Sequence, residues 1–135
     1  MKDALTILQE HGIQPSAQRV AVAEYVLFTE EHPSADLVWS RVSEKFPHIS
    51  RATVYNTLNL FVESGLLRAL NIAEDSIVFD PKVETHHHFI DDESGRIYDV
   101  PWDAVQVCNI DRLRGYEIRG YQLVMHGVRK PSRKH

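Results

Sequence analysis

Three consecutive histidines, His86 to His88, lie between two aspartates in the second half of this 135-residue chain. Asp80 precedes them and Asp99 follows them. Imidazole nitrogens and carboxylate oxygens are both ligands for divalent first-row metals. In a strand, successive side chains alternate between two faces, so His86 and His88 would point one way and His87 the other. These residue types and their spacing are compatible with a metal site of nitrogen and oxygen ligands, although a histidine-rich surface loop would look the same locally.

The composition is that of a globular protein without a membrane span. Hydrophobic residues make up 43% of the sequence, and no apolar run approaches the ~18 residues that a transmembrane helix needs. The first residues lack the apolar core of a signal peptide, so we expect a cytoplasmic protein with no membrane partner. The single cysteine, Cys108, excludes an intrachain disulfide and a cysteine zinc site, and its apolar neighbours predict that it is buried.

The charge balance alone does not indicate nucleic-acid binding. The formal net charge is −4, and residues 1–70 contain 6 Lys and Arg against 8 Asp and Glu. Any DNA-binding surface must therefore arise from the local distribution of charged and polar side chains.

Residues 1–80 predict four helices followed by a β-hairpin. Apolar residues recur at helical spacing, Ser34 and Ser50 can cap the third and fourth helices, and Gly65 can end the fourth. The predicted helices are 2–11, one that opens at Pro15-Ser16, Ala35 to about Phe46, and 50–64, and the predicted strands are 66–72 and 76–79. Helices followed by a hairpin are the order of a winged helix-turn-helix, which is a DNA-binding domain.

The helix at 50–64 has two unlike faces. Its apolar stripe consists of Val54, Leu58, Phe61 and Val62. The opposite side offers a cation, two amides and an aromatic ring, carried by Arg51, Tyr55, Asn56 and Asn59. Such a face can contact phosphates and base edges. A core helix with an ordinary polar outer side is the alternative, but the following hairpin favours a recognition helix.

Residues 81–135 predict a small α/β unit, which makes the whole chain α+β. The predicted strands are 85–90, 96–100 and 116–127, with a short helix at 101–113. A unit of about 55 residues buries little surface alone, so we expect it to pair with a second copy. A homodimer also suits a winged helix, because two-fold protein symmetry matches palindromic DNA half-sites. We therefore expect a DNA-binding domain at 1–80 and a dimerisation and metal-sensing domain at 81–135.

Motifs along the whole chain resemble the ferric uptake regulator superfamily. They are Gln18-Arg19, His32-Pro33-Ser34-Ala35, residues 52–58, residues 64–66, Phe79-Asp80, His86 to His88 and Asp99, in the order of that family. The resemblance implies a dimer that binds palindromic operator DNA under the control of a metal. It also implies a DNA-contacting set made of Arg19, Ser50, Arg51, Thr53, Tyr55, Asn56 and Asn59.

Within the superfamily the chain is most similar to the peroxide-sensing branch. That resemblance implies that Fe²⁺ or Mn²⁺ binds His32, Asp80, His86, His88 and Asp99, and that His32 and His86 are the residues oxidised by hydrogen peroxide. Aspartate rather than glutamate as the last ligand, and asparagine at position 56, are both features of this branch. The expected function is a metal-dependent repressor, not an enzyme, that releases DNA on oxidation.

The chain departs from the family where a structural zinc is usually bound by two CxxC pairs. Those positions hold Asp91 and Ser94, and Arg129 and Ser132, so no structural zinc is expected. The triple histidine also resembles iron-response regulators that sense haem, which leaves a haem-responsive alternative open. A zinc-uptake regulator and a non-haem iron enzyme with two His and one carboxylate are further alternatives, and five candidate ligands argue against the enzyme.

Overall fold

The computed structural model describes residues 2–73 and 75–131, which form two compact units that divide between Val83 and Glu84. The predicted α+β class is confirmed. The first unit contains α1 (Ala4–Glu10), α2 (Ala17–Val26), α3 (Ala35–Ser43), α4 (Arg51–Glu63), β1 (Arg68–Ala73) and β2 (Ser76–Asp80). The second contains β3 (His87–Asp91), β4 (Ile97–Val100) and β5 (Val124–Gly127). No helix among the described residues has the length and apolar character to cross a membrane.

Serine side chains set where three of the helices begin. Ser16, Ser34 and Ser50 each accept a hydrogen bond from a backbone N–H three residues later, at 3.2, 3.2 and 3.0 Å. These bonds satisfy amides that have no partner inside the helix. Gly65, at φ 81°, follows α4 in the left-handed conformation that helix ends favour. The caps predicted at Ser34 and Ser50 are therefore present.

The core of the first unit lies between its helices. The apolar stripe of α4 is buried there, because Val54, Leu58 and Phe61 are all fully inaccessible to solvent. Burial of each such side chain contributes roughly 1.5–3 kcal/mol relative to exposure. Once this stripe faces inward, the opposite side of α4 faces outward, and Tyr55 on that side is exposed.

The hairpin of the first unit brings the end of β2 to the loop between α2 and α3. Strands β1 and β2 pair antiparallel, with Arg68 opposite Asp80. The backbone N–H of Phe79 donates to the carbonyl of Pro33 at 2.8 Å. This bond places the next residue, Asp80, beside His32, which precedes Pro33.

The second unit is a three-stranded sheet with β3 in the centre, in the order β4-β3-β5. Strands β3 and β4 are antiparallel, with His88 opposite Asp99. Strands β3 and β5 are parallel, with His88 opposite Val124. The histidine tract therefore enters the middle strand, and Asp99 lies on its neighbour.

The connection between β4 and β5 differs from the prediction. The helix predicted at 101–113 is wrong, since that stretch contains only two short 3₁₀ turns, Trp102–Ala104 and Ile110–Arg112. Val105 is extended and Asn109 is left-handed at φ 64°, and β-branched residues such as Val105 lose side-chain freedom in helices. The strand predicted at 116–127 is also too long, because only Val124–Gly127 forms one. Cys108, predicted to be buried, is exposed in this connection.

Candidate metal centre and nucleic-acid interface

Two of the predicted metal ligands, His32 and Asp80, form a buried pair in the first unit. Their exposed fractions are 7% and 1%, and His32 Nε2 lies 3.4 Å from Asp80 Oδ2. His32 Nδ1 lies 3.0 Å from the carbonyl of Glu30, which favours the tautomer with Nδ1 protonated and Nε2 as the ligand atom. Asp80 Oδ1 accepts from the backbone N–H of Lys82 at 2.9 Å. Both side chains are thus oriented by the backbone.

The backbone at His32 is strained. Its φ of 51° lies in the left-handed region, which is uncommon for a residue other than glycine. Such a conformation costs on the order of 1–3 kcal/mol and persists only where the surrounding structure enforces it. Strain of this kind is common at binding sites, so its presence at a predicted metal ligand is consistent with a functional constraint.

The residue before His32 is held by a hydrogen-bond network between α2 and α3. The Glu31 carboxylate accepts from the Tyr25 hydroxyl at 3.0 Å and from Arg41 Nη2 at 3.1 Å. The Arg41 guanidinium holds the pKa of the Glu31 carboxyl below its usual range, so the carboxylate is ionised at neutral pH. Burial, and then the bond to Glu31, raises the pKa of Tyr25, which keeps its hydroxyl a donor.

The other three predicted ligands, His86, His88 and Asp99, lie together in the second unit. Asp99 Oδ1 is 3.2 Å from His86 Nε2 and 3.6 Å from His88 Nε2, and the two ring centroids are 4.5 Å apart. His86 Nδ1 is 2.6 Å from the carbonyl of Glu84, so its Nε2 is again the nitrogen that could bind a metal. Both Nε2 atoms lie near the same carboxylate oxygen. This nitrogen and oxygen donor set, without sulfur, fits Mn²⁺ or Fe²⁺.

His87 points away from its two neighbours, as strand alternation requires. Its side chain is fully buried and stacks on Trp102, with ring centroids 4.6 Å apart and an interplanar angle of 21°. The backbone N–H of Leu123 donates to His87 Nδ1 at 3.0 Å. The middle histidine is therefore an interior residue of the second unit.

The outer face of α4 carries the predicted DNA-contacting residues. Tyr55 is 45% exposed, and Asn56 and Asn59 are exposed beside it. Ser50 acts as the cap of this helix. Arg51 lies across α3, since its guanidinium is 3.3 Å from an Asp36 carboxylate oxygen and 4.6 Å from the centroid of the Trp39 ring. The sequence did not indicate that Arg51 is held in this way.

A groove of about 570 Å³ lies between the start of α2 and α4. It is lined by Gln14, Pro15, Ser16, Gln18, Arg19, Thr53, Asn56, Thr57 and Leu60. The groove joins three residues of the predicted DNA-binding set, Arg19, Thr53 and Asn56. Arg19 and the N-terminus of α2 could bind phosphate oxygens. Gln14 and Ser16 also line this surface and were not predicted to do so, although the capping position of Ser16 marks the start of α2.

The positions at which the family usually binds a structural zinc make other contacts in this chain, where the structure describes them. Asp91 and Ser94 shape the β3–β4 turn by accepting from the backbone N–H groups of Glu93 and Arg96 at 3.0 and 3.1 Å. The Arg129 guanidinium lies 4.4 Å from the centroid of the Tyr98 ring. Ser132 lies outside the described residues. A cation, a hydroxyl and a turn-forming carboxylate do not fit a tetrahedral thiolate zinc site.

Comparisons with known proteins agree on one family. A family model described as the ferric uptake regulator family matches residues 10–126. The peroxide operon regulator of Bacillus subtilis (strain 168) is 34% identical over 130 residues, which cover 95% of this chain and 90% of that protein. The peroxide-responsive repressor PerR of Staphylococcus aureus (strain Mu50 / ATCC 700699) is 30% identical over 134 residues, covering 96% and 89%. A solved zinc-bound manganese uptake regulator, 24% identical, shares the fold with a TM-score of 0.68 over 96% of this chain and 100% of that one.

Proposed function

Because this chain belongs to the ferric uptake regulator family, we propose that it is a metal-dependent, dimeric repressor that releases operator DNA when hydrogen peroxide oxidises it. The observation that carries the proposal is the orientation of three histidine Nε2 atoms toward two aspartates, within units that each hold part of the ligand set. The two relatives named as peroxide regulators support peroxide as the signal.

The proposed regulatory site contains three imidazoles and two carboxylates. Its members are His32 and Asp80 from the first unit and His86, His88 and Asp99 from the second. If all five bind one ion, this nitrogen and oxygen donor set would suit Mn²⁺ or Fe²⁺. Binding by both groups of residues would fix one arrangement of the two units. Metal and DNA affinity are then linked, if that arrangement is the one that fits the operator.

Loss of a histidine ligand would switch the protein off. When Fe²⁺ is bound, it supplies the redox chemistry that activates hydrogen peroxide, whereas Mn²⁺ does not. His32 and His86 are the proposed sites of oxidation: one oxygen atom of hydrogen peroxide would enter a ring C–H bond, and the other would leave as water. An oxidised imidazole at either position is a poorer nitrogen donor, so the remaining residues would hold the ion less tightly and DNA would be released.

The proposed DNA contacts lie on α4 and at the start of α2. They comprise Arg19, Ser50, Arg51, Thr53, Tyr55, Asn56 and Asn59. Pairing of two copies would present two such surfaces to palindromic half-sites one helical turn apart, or a multiple of it. The second unit is the proposed dimerisation domain, and its apolar side chains that remain exposed in the single chain, such as Leu113, Tyr116 and Ile118, support this assignment.

The haem-responsive alternative is not favoured. His87, the residue that would complete a three-histidine haem site, is buried against Trp102 and accepts a backbone hydrogen bond. A haem iron could reach this ring only if the second unit opened. An enzymatic role is also not proposed, since five protein ligands would leave too few open positions for an iron oxygenase.

A gel-shift experiment tests the proposal. The probe is a duplex selected from a random pool by the Mn²⁺-loaded protein, and it is titrated with apo, Mn²⁺ and Fe²⁺ protein before and after peroxide treatment. We expect both metal forms to bind, and only the Fe²⁺ form to release DNA with a mass gain of one oxygen on the His32 or His86 peptide. If the peroxide-treated Fe²⁺ form kept its DNA and showed no such mass gain, peroxide sensing would be excluded. Replacement of Tyr55 should weaken DNA binding and leave Mn²⁺ affinity unchanged.

A further inference from the structure

The loop between α2 and α3 is anchored on both sides of His32. On the N-terminal side, the Glu31 carboxylate accepts hydrogen bonds from the Tyr25 hydroxyl of α2 and from the Arg41 guanidinium of α3, one on each oxygen. On the C-terminal side, the carbonyl of Pro33 receives the backbone N–H of Phe79 from β2. His32 is the single residue between these two anchors, so its backbone has little freedom to relax.

The Glu31 anchor is adjacent to the backbone of His32. The backbone N–H of Glu31 donates to Thr29 Oγ1 at 3.1 Å, so both its main chain and its side chain are fixed. The orientation of the peptide between Glu31 and His32 sets the direction of the His32 side chain. At φ 51°, this orientation is one that the isolated loop would avoid. A neighbouring contact must therefore hold it.

The network contributes little to overall stability. The side chains of Glu31 and Arg41 are 45% and 44% exposed, and ion pairs with that exposure are screened by water. The side chains of Tyr25 and Arg41 nevertheless come from two different helices and both donate to the Glu31 carboxylate. A contact that is energetically weak but geometrically specific suits the positioning of a neighbouring residue.

We infer that Tyr25, Glu31 and Arg41 form a positioning network that holds His32 in its strained conformation and thereby sets the metal affinity of the regulatory site. The inference rests on the proposed binding of a metal by His32. None of the three residues belongs to the proposed ligand set, and their effect would pass through the backbone at position 32. Supporting contacts of this kind typically change metal affinity on the order of 10–100-fold.

Titration calorimetry with Mn²⁺ tests the network in the full-length chain. We expect Glu31→Gln and Arg41→Met to weaken Mn²⁺ binding by roughly tenfold. The control pair is Glu24 and Lys45, which form an ion pair of 3.6 Å with side chains 50% and 72% exposed. Glu24→Gln and Lys45→Met remove a comparable surface contact that does not involve the loop, and they should leave Mn²⁺ affinity unchanged.

Two measurements separate positioning from a general loss of structure. In the metal-free protein, Glu31→Gln should leave the thermal midpoint near that of the unaltered chain while accelerating hydrogen exchange of the backbone amide at position 31. In a His32→Asn background, where asparagine tolerates the left-handed backbone, Glu31→Gln should have no further effect on residual Mn²⁺ affinity. This non-additivity is expected only if the network acts through His32.

The outcomes distinguish this inference from the proposed function. Normal Mn²⁺ binding by the unaltered chain together with unchanged affinity in Glu31→Gln would overturn the positioning role alone. If Glu31→Gln weakened Mn²⁺ binding equally in the unaltered chain and in the His32→Asn background, the positioning role would also be overturned. If the unaltered chain bound no Mn²⁺, or if His32→Asn did not weaken binding, the proposed regulatory site would fail and the inference with it.

Discussion

The backbone N–H of Leu123 donates to Nδ1 of His87, joining the residue before β5 to the first residue of β3. Because Nδ1 accepts, the neutral ring carries its proton on Nε2. The next backbone group along β3, the N–H of His88, donates to the carbonyl of Leu123 at 3.0 Å. Side chain and main chain thus fix the same point of the β3–β5 register. His87 supports the strand that carries His88 and that His86 immediately precedes.

Replacement of His87 should loosen β5. His87→Phe keeps an aromatic ring against Trp102 but leaves the Leu123 N–H without its acceptor, which we expect to cost about 1–3 kcal/mol of unfolding free energy. His87→Asn, whose Oδ1 can occupy the position of Nδ1, should retain more of the protection of the Leu123 amide from hydrogen exchange. Urea unfolding and amide exchange measure the two effects. Equal protection of Leu123 in the Phe variant and the unaltered chain would refute the role of this hydrogen bond.

Removal of all metal should leave the second unit folded. Where the family places zinc, this chain has contacts that need no metal, including the Arg129 guanidinium over the Tyr98 ring and a 3.4 Å contact between His126 Nδ1 and the Asp92 carboxylate. Proteins that depend on a structural zinc unfold when a chelator removes it. We therefore expect dialysis against EDTA to abolish DNA binding without changing the circular dichroism spectrum or the dimer mass. Unfolding or dissociation in EDTA would reveal a structural metal.

Local signals explain why the first unit could be predicted from the sequence. The serine caps, the glycine after α4 and the 3.6-residue apolar period all operate over short stretches of chain. The alternation of His86, His87 and His88 was also predictable, because it depends only on the geometry of a strand. In each case the residue and its structural cause lie within one turn or one strand.

Features that depend on contacts between distant residues have no comparable local signal in the sequence. The contacts of Glu31 with Tyr25 and Arg41, and of Arg51 with Asp36, connect separate helices, so no local pattern reveals them. The stretch 101–123 contains apolar residues that fit either a helix or a strand, and short apolar runs cannot be assigned by periodicity alone. Its irregular backbone is determined by tertiary contacts such as the one between Leu123 and His87.

Arg19 should contribute to DNA affinity mainly by contacting phosphate. It lies in the groove at the start of α2, where Nη1 donates to the carbonyl of Gln14 at 2.7 Å. We expect Arg19→Met to weaken binding similarly for all DNA sequences and to reduce the slope of log affinity against log salt by about 1 per site. Asn56→Ala is the contrasting variant, because loss of a base contact should relax sequence preference and leave the salt slope unchanged. Fluorescence anisotropy over a salt series, with selected and scrambled duplexes, separates the two effects.

Asp99 should be essential for metal binding because one of its oxygens lies within 3.6 Å of both His86 and His88 Nε2. Asp99→Asn keeps the size of the side chain and removes its charge, so we expect Mn²⁺ affinity to fall by at least about tenfold and Mn²⁺-dependent DNA binding to be lost. Asp92→Asn provides the matched control, since Asp92 is a carboxylate of the same unit that lies 3.4 Å from a different histidine, His126 Nδ1. Calorimetry and gel shifts on both variants measure the difference. If the two substitutions weakened Mn²⁺ binding equally, general electrostatics rather than ligation would explain the effect of Asp99.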